Sequence, residues 1–431
     1  MRSIQLVDNI RSKTDSVYAK RLLGLFEYVI AAILLIQCNT VWTTIEPFRG
    51  SINQILLMAL FGCTVCCMIL TGGVFSKKRM LVTASVTSLV FLYLMVLFFA
   101  HSTNHSVFWH FLACLLVLIL YYLTCCDGEI PAVLLKYGQL VTWVAAYSLL
   151  MWMLCSIQQI ISPTGVVMTS WNDTAFLDAP ISSYFGIYFE TQFRAVGDVL
   201  VARNTSIFTE APMASLHFSI ALLIEALLKK KCDGKAFVLL MLAIFSTMST
   251  TGYLVVLLTA LIRLFTWLGK KGWLANEALK AAMIVVATAC FSVIGAIVLL
   301  KVETVSGSVR FDDMRAGILA VCDHPILGNG FNNLPAIQKY MSHWRTYNVG
   351  FSSGLLWILS DGGLWLGLVH ILPMLWALVM GVRRGEVGVS LFSVLMFFIF
   401  LITVFQYSLL LSFILVFLAN YKNPLLKKED A

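Results

Sequence analysis

The chain is 431 residues long, 60% hydrophobic and only 12% charged, with a mean hydropathy of +0.88. A soluble domain of this composition would expose far more apolar surface than water tolerates, so the class is an all-α polytopic membrane protein. The formal charge of +8 sits in short basic clusters between apolar runs, which membrane orientation explains and which leaves no basic-aromatic patch for nucleic acid.

Apolar runs of about 20 residues recur along the chain, each able to cross roughly 30 Å of hydrocarbon. They predict twelve spans, at 22–42, 52–75, 80–100, 107–124, 137–161, 210–228, 235–250, 252–268, 281–300, 353–380, 388–405 and 407–420. The division between the seventh and eighth rests on the polar stretch "STMSTTGYL" (246–254), and reading it as a kink would leave eleven. Basic residues choose between the two counts, because inner loops carry the positive charge. Arg11, Lys13, Lys20 and Arg21 precede the first span, Lys77, Lys78 and Arg79 follow the second, and Lys229, Lys230 and Lys231 follow the sixth. Lys270 and Lys271 follow the eighth, Arg383 and Arg384 the tenth, and Lys427 and Lys428 the last. Twelve spans put every cluster on one side, which predicts cytoplasmic termini; eleven would split them. The polar first 21 residues lead into a full span, so the first span is expected to be an anchor, not a removable signal. Most of the eleven cysteines fall inside spans; "CTVCC" (63–67) has CxxC spacing but no second ligand pair, and inert buried thiols fit better than a metal site.

This topology makes 1–431 one membrane domain with two long outer loops, 162–209 and 301–352, expected to carry short helices. Long loops in compact proteins are usually functional. The first holds "SSYFGIYFETQFRAVG" (182–197), suited equally to stacking on sugars and to an interfacial aromatic belt. In the second, "SGSVRFDDMRAGILAVCDHP" reads as a helix capped by Ser306 or Ser308, favoured at its start by Asp312 and Asp313, and ended by Pro325. Arg310 and Arg315 lie about 140° apart around such a helix and do not share a face. Their bland roles are headgroup contact or pairing with Asp312 and Asp313. Yet Arg194, Arg203, Lys339 and Arg345 accompany them on the outer side, where no orientation rule asks for positive charge, and the planar guanidinium suits phosphate. "PILGNG" (325–330) lacks the lysine of a nucleotide loop and lies on the outer face, away from nucleotides.

Ionisable groups inside spans carry a functional expectation. Glu210 and His217 open the sixth span on one face, and Asp361 lies at a similar depth in the tenth, so His217 and Asp361 could meet in a polar cavity as a structural or a catalytic pair. Glu27, Glu225 and Arg263 read as packing or snorkelling residues.

"SVRFDDMRAGILAVCDHPILGNGFNN" followed by "GFSSGLLWILSDGGLWLGL" (350–368) resembles the O-antigen polymerase and ligase family of bacterial envelopes. "RNTSIFTEAPMASLHFSIAL" (203–222) is similar to that family's other signature, and "STTGYL" (249–254) to a polar helix break common in it. The motifs span roughly 90 residues, the topology the whole chain. The resemblance implies a metal- and cofactor-independent glycosyltransferase in the bacterial cytoplasmic membrane. Its substrate would be an undecaprenyl-diphosphate-linked oligosaccharide, polymerised on the outer face for O-antigen, capsule or exopolysaccharide, with a chain-length regulator and a flippase as partner proteins. The ligase branch carries a His-Asn pair where this chain has Ser352 and Ser353, so a polymerase is the sharper expectation. Arg203, Arg310, Arg315 and Arg194 are then the expected diphosphate ligands, and Glu210, Asp361 and His217 the candidate catalytic groups. A ligase, or from another class a lipid-linked sugar flippase, is the alternative; no internal repeat supports the latter.

Overall fold

The computed structural model describes residues 2–45, 49–72, 77–100, 105–168, 180–271, 285, 305–345 and 350–423. In chain order the helices are α1 (Arg2–Gln37), α2 (Arg49–Thr71), α3 (Lys77–Ala100), α4 (His105–Cys125), α5 (Ala132–Met151), α6 (Ala211–Leu223), α7 (Gly234–Ser246), α8 (Thr250–Lys270), α9 (Val305–Asp323), α10 (Leu334–Gln338), α11 (Gly354–Arg384), α12 (Val387–Ile402) and α13 (Leu409–Ala419). Both α5 and α6 run on through a widened π-type turn, Trp152–Ile157 and Ile224–Leu228. Seven helices among the described residues are long and apolar enough to cross a membrane, so the chain is a multi-pass helical membrane protein. Eleven of the twelve expected spans fall on described helices, and 281–300, apart from residue 285, lies outside the described residues. Three of those helices, α7, α12 and α13, have only 13, 16 and 11 residues.

The polar stretch after α7 is a turn and not a kink. Met248 takes a left-handed φ of 51°, Ser249 starts α8, and the Tyr253 hydroxyl donates back to the Phe245 carbonyl at 3.2 Å. The two helices therefore run side by side. Gly252 permits this: a Cβ there would stand 2.2 Å from Ser215 Oγ and 2.5 Å from Ile244 Cγ2.

The helix ends gather into two groups. At one end Lys422 N donates to Gly128 O, Arg79 pairs with Asp127, and Gly388 abuts the Leu227 carbonyl. At the other, the end of α1 meets the approach to α6 through Val41 N to Ile207 O, under five short strands. The strands correct the expectation of helices in the first loop. β1 (Gly165–Val167), β2 (Ile181–Tyr184) and β3 (Tyr188–Glu190) form one antiparallel sheet, and β4 (Phe193–Val196) and β5 (Val199–Ala202) a hairpin. Valine, isoleucine and aromatic residues fit a pleated strand better than a helix, and Gly186 and Gly197, at φ +69° and +61°, make the turns.

The glycine-rich stretch of the second loop is half of an exchange between two breaks. Within α11, Gly363 leaves helical geometry at φ 57°, ψ −153°. That break strands carbonyls before it and N–H groups after it, which hydrocarbon cannot satisfy. Residues 325–330 supply the partners. Asn329 N donates to Ser360 O and Gly330 N to Asp361 O, while Leu364 N and Trp365 N donate to Pro325 O and Ile326 O, all at 2.7–3.0 Å. The approach is backbone to backbone: a Cβ on Gly328 would lie 2.3 Å from the Asp361 carbonyl, and one on Gly363 2.4 Å from Ile326 C.

Candidate functional site

Four charged residues, Arg203, Glu210 and Arg310 of the signature segments and Arg194 of the first loop, converge at the strand-bearing end. Arg203 follows β5. Its backbone N–H donates to Gln192 O at 3.0 Å, and its guanidinium donates from Nε to Thr247 O at 2.8 Å and from Nη1 to Gln192 Oε1 at 3.1 Å. Arg194, on β4, reaches the same α7–α8 turn through Nη1 to Met248 O at 3.5 Å. The carbonyls at the end of α7 form the negative pole of that helix, so two arginines there are favourably placed.

Glu210 is the residue before α6 and holds an extended backbone, φ −153°, that turns the chain into the helix at Pro212. Arg203 and, from α9, Arg310 lie close enough to act on its carboxyl group. Neither forms a direct ion pair or hydrogen bond with it among the described residues. Burial pushes the Glu210 carboxyl up to about 7, against the pull of the two guanidiniums. Burial likewise lowers Arg203 and Arg310, opposed by Glu210 and, for Arg310, by Asp313. The arrangement is a recessed carboxyl group flanked by cations whose donor edges are partly unused among the described residues, able to grip an anion with several oxygens and to accept a proton beside it.

The other expected site residues lie elsewhere. Arg315 projects from α9 with its side chain 55% exposed, 3.6 Å from Asp312 and 3.5 Å from Tyr340 O. It therefore takes no part in the Glu210 cluster, as its angle from Arg310 around the helix dictates. His217 and Asp361 do not meet. The Cys38 carbonyl can only accept, so His217 Nε2 carries the proton donated there at 3.0 Å, and the Tyr137 hydroxyl donates to Nδ1 at 2.6 Å. Phe208 stacks on the ring at 4.2 Å. This histidine fastens the end of α1 to α6. Asp361 accepts from Asn332 N at 2.7 Å and Asn333 N at 3.1 Å, and the Tyr407 hydroxyl donates to it as well. Its oxygens hold the inserted loop in place.

The wider cationic face also thins out. Arg345 is buried and donates to Asp312, to Asp313 and, at 2.7 Å, to Gly350 O. Asp312 and Asp313 thus serve Arg345 and not the start of α9, because they lie two turns into the helix and face inward. Lys339 pairs with Asp323 at 2.5 Å. Glu27 pairs with Lys136, Glu225 with Lys229, and Arg263 donates to Ala226 O, in keeping with packing roles. Ser353 caps α11, accepting from Leu356 N and donating to Leu401 O.

Sequence reasoning missed Gln192 and the two turn carbonyls. The polar break is visible in the sequence, but nothing in the order of residues says that Thr247 O and Met248 O face Arg203, after β5, and Arg194, on β4. Among the described residues, no three His, Cys, Asp or Glu side chains are grouped so as to hold a metal ion. No protein-family model matches the chain, and no curated protein matches it in sequence.

Proposed function

We propose that the protein is a polymerase of lipid-diphosphate-linked oligosaccharides, working at the strand-bearing end of the bundle. The observation that carries this reading is the recessed Glu210 carboxyl group between Arg203 and Arg310, with Arg194 beside them. A hydroxyl of one repeat unit attacks the anomeric carbon of a glycan carried on undecaprenyl diphosphate. The new glycosidic C–O bond forms as the bond to the diphosphate breaks, and the hydroxyl proton passes to Glu210. The arginines bind the diphosphate and take up the charge that grows on it as it leaves. Diphosphate is already a good leaving group, so positioned cations and one base suffice.

In this reading the chain spans the bacterial cytoplasmic membrane twelve times with both termini in the cytoplasm, 281–300 being the span between α8 and α9. The site then faces the periplasm or exterior, where a flippase delivers substrate and a chain-length regulator acts on the product. The grouping of basic loops opposite the strands supports this orientation. A flippase would make use of a broken helix such as α11, but the backbone groups at Gly363 are taken up by residues 325–330 and do not line a path. A ligase would share the diphosphate site and differ in its acceptor.

The envelope glycan of a deletion strain, complemented with wild type, Arg203→Ala or Arg310→Ala, tests the proposal. Single repeat units in the deletion and in both variants, with variant protein present in the membrane, are expected. Normal ladders from either variant would remove the arginine site. Undecorated core with long polymer left on its carrier would indicate a ligase, and repeats trapped inside a flippase.

A further inference from the structure

Gln192, in the short link between β3 and β4, makes a set of contacts that no packing role requires. One side-chain oxygen, Oε1, accepts from Arg203 Nη1 at 3.1 Å and from Ala211 N at 3.1 Å. Both partners are obligatory donors, so chemistry assigns the oxygen to that position. The Gln192 backbone carbonyl also accepts from Arg203 N. Together with Thr247 O on Nε, these contacts hold two nitrogens of the guanidinium and leave Nη2 without a partner among the described residues. Ala211 follows Glu210 directly, so a single atom sets the arginine in register with both the carboxyl group and the start of α6.

The same contact decides what does not bind the anion. An exposed helix start could hold phosphate through its N–H groups. Here Gln192 occupies Ala211 N, Pro212 has no N–H, and Met213 N and Ala214 N donate to Glu210 O at 3.1 and 3.2 Å. Recognition of the anion is left to the guanidiniums.

Resting on the diphosphate reading above, we infer that Gln192 is a positioning residue, which holds Arg203 so that its Nη2 edge faces the bound diphosphate beside Glu210. A neutral amide is the suitable holder. It accepts from the guanidinium without cancelling its charge, whereas a carboxylate in its place would compete with the ligand.

The test uses the full-length protein in detergent, with inorganic diphosphate as the probe, and polymer formation measured alongside. Gln192→Ala is expected to weaken diphosphate binding about tenfold and to lower kcat by up to about a hundredfold, as a misplaced charge does, with Tm little changed. Gln192→Glu keeps acceptors for both Arg203 and Ala211, so it should match or exceed the wild-type Tm yet lose diphosphate binding and activity. Wild-type binding and kcat in Gln192→Ala would overturn the inference. So would recovery of both in Gln192→Glu, which would mark a purely structural acceptor. If binding depends on Arg203 and Gln192 while the wild type makes no polymer, the polymerase reading falls and the inference stands. If Arg203→Ala binds diphosphate as the wild type does, both fall.

Discussion

Replacing Glu210 with glutamine tests the electrostatics of the site without changing its shape. Burial raises this carboxyl from 4.5 to about 7, a preference for the protonated form of about 3 kcal/mol. The folded-state value lies above the unfolded one, so wild type is at its most stable, relative to the neutral variant, below about pH 4.5. It loses that stability as the pH climbs to 7, and above 7 the loss is constant. Glu210→Gln should therefore match wild type at pH 4.5 and exceed it by up to about 3 kcal/mol at pH 8. Activity should run the other way: wild-type turnover rises with pH on a limb centred near 7, where a base is best tuned, and the variant is inactive. Unfolding in detergent from pH 4.5 to 8, followed by tryptophan fluorescence, gives the first result and initial rates of polymer formation the second. A stability difference independent of pH, or a wild type more stable than the variant at pH 8, would refute the reasoning. The first would mean that the arginines just offset burial, the second that they outweigh it and keep the carboxylate charged.

Four other substitutions separate structure from chemistry. Arg345→Ala leaves the buried Asp313 carboxyl group without its cation, while Asp312 keeps the Ser342 N–H and hydroxyl, and should cost about 3–5 kcal/mol, seen as a large drop in Tm or in the amount of folded protein recovered. Gly328→Ala drives a Cβ to 2.3 Å from the Asp361 carbonyl and should abolish folding, whereas Asn329→Ala, which removes only side-chain bonds to Ala320 O and Ser360 O, should cost about 1–3 kcal/mol. Arg315→Ala touches an exposed residue and should leave the polymer ladder intact with a stability change within about 0.5 kcal/mol; a loss of polymer equal to that of Arg310→Ala would return Arg315 to the site.

Apolar run length and the placement of lysine and arginine are local properties, and they made the membrane class and the order of the helices legible from residues alone. The turn between α7 and α8, the helix ending before Pro325 and the unusual placement of Arg194, Arg203, Glu210 and Arg310 were legible for the same reason: helix stops and charges away from the basic loops are visible one residue at a time. Other features depend on what a residue meets across the bundle. His217 and Asp361 carry the same mark in a sequence as Glu210, an ionisable group in an apolar run. Only packing distinguishes them, by giving His217 the stranded Cys38 carbonyl and Asp361 the amides of Asn332 and Asn333, while placing Glu210 beside Arg203 and Arg310. Arg345 and Arg315 are likewise equivalent as letters, until one is buried between two aspartates and the other left in the open. The pairing of "PILGNG" with "SDGG" was hidden most completely, since each glycine alone signals only a turn. It took the folded chain to bring the two breaks together, because stranded backbone groups in a membrane protein must find partners and each break holds what the other lacks.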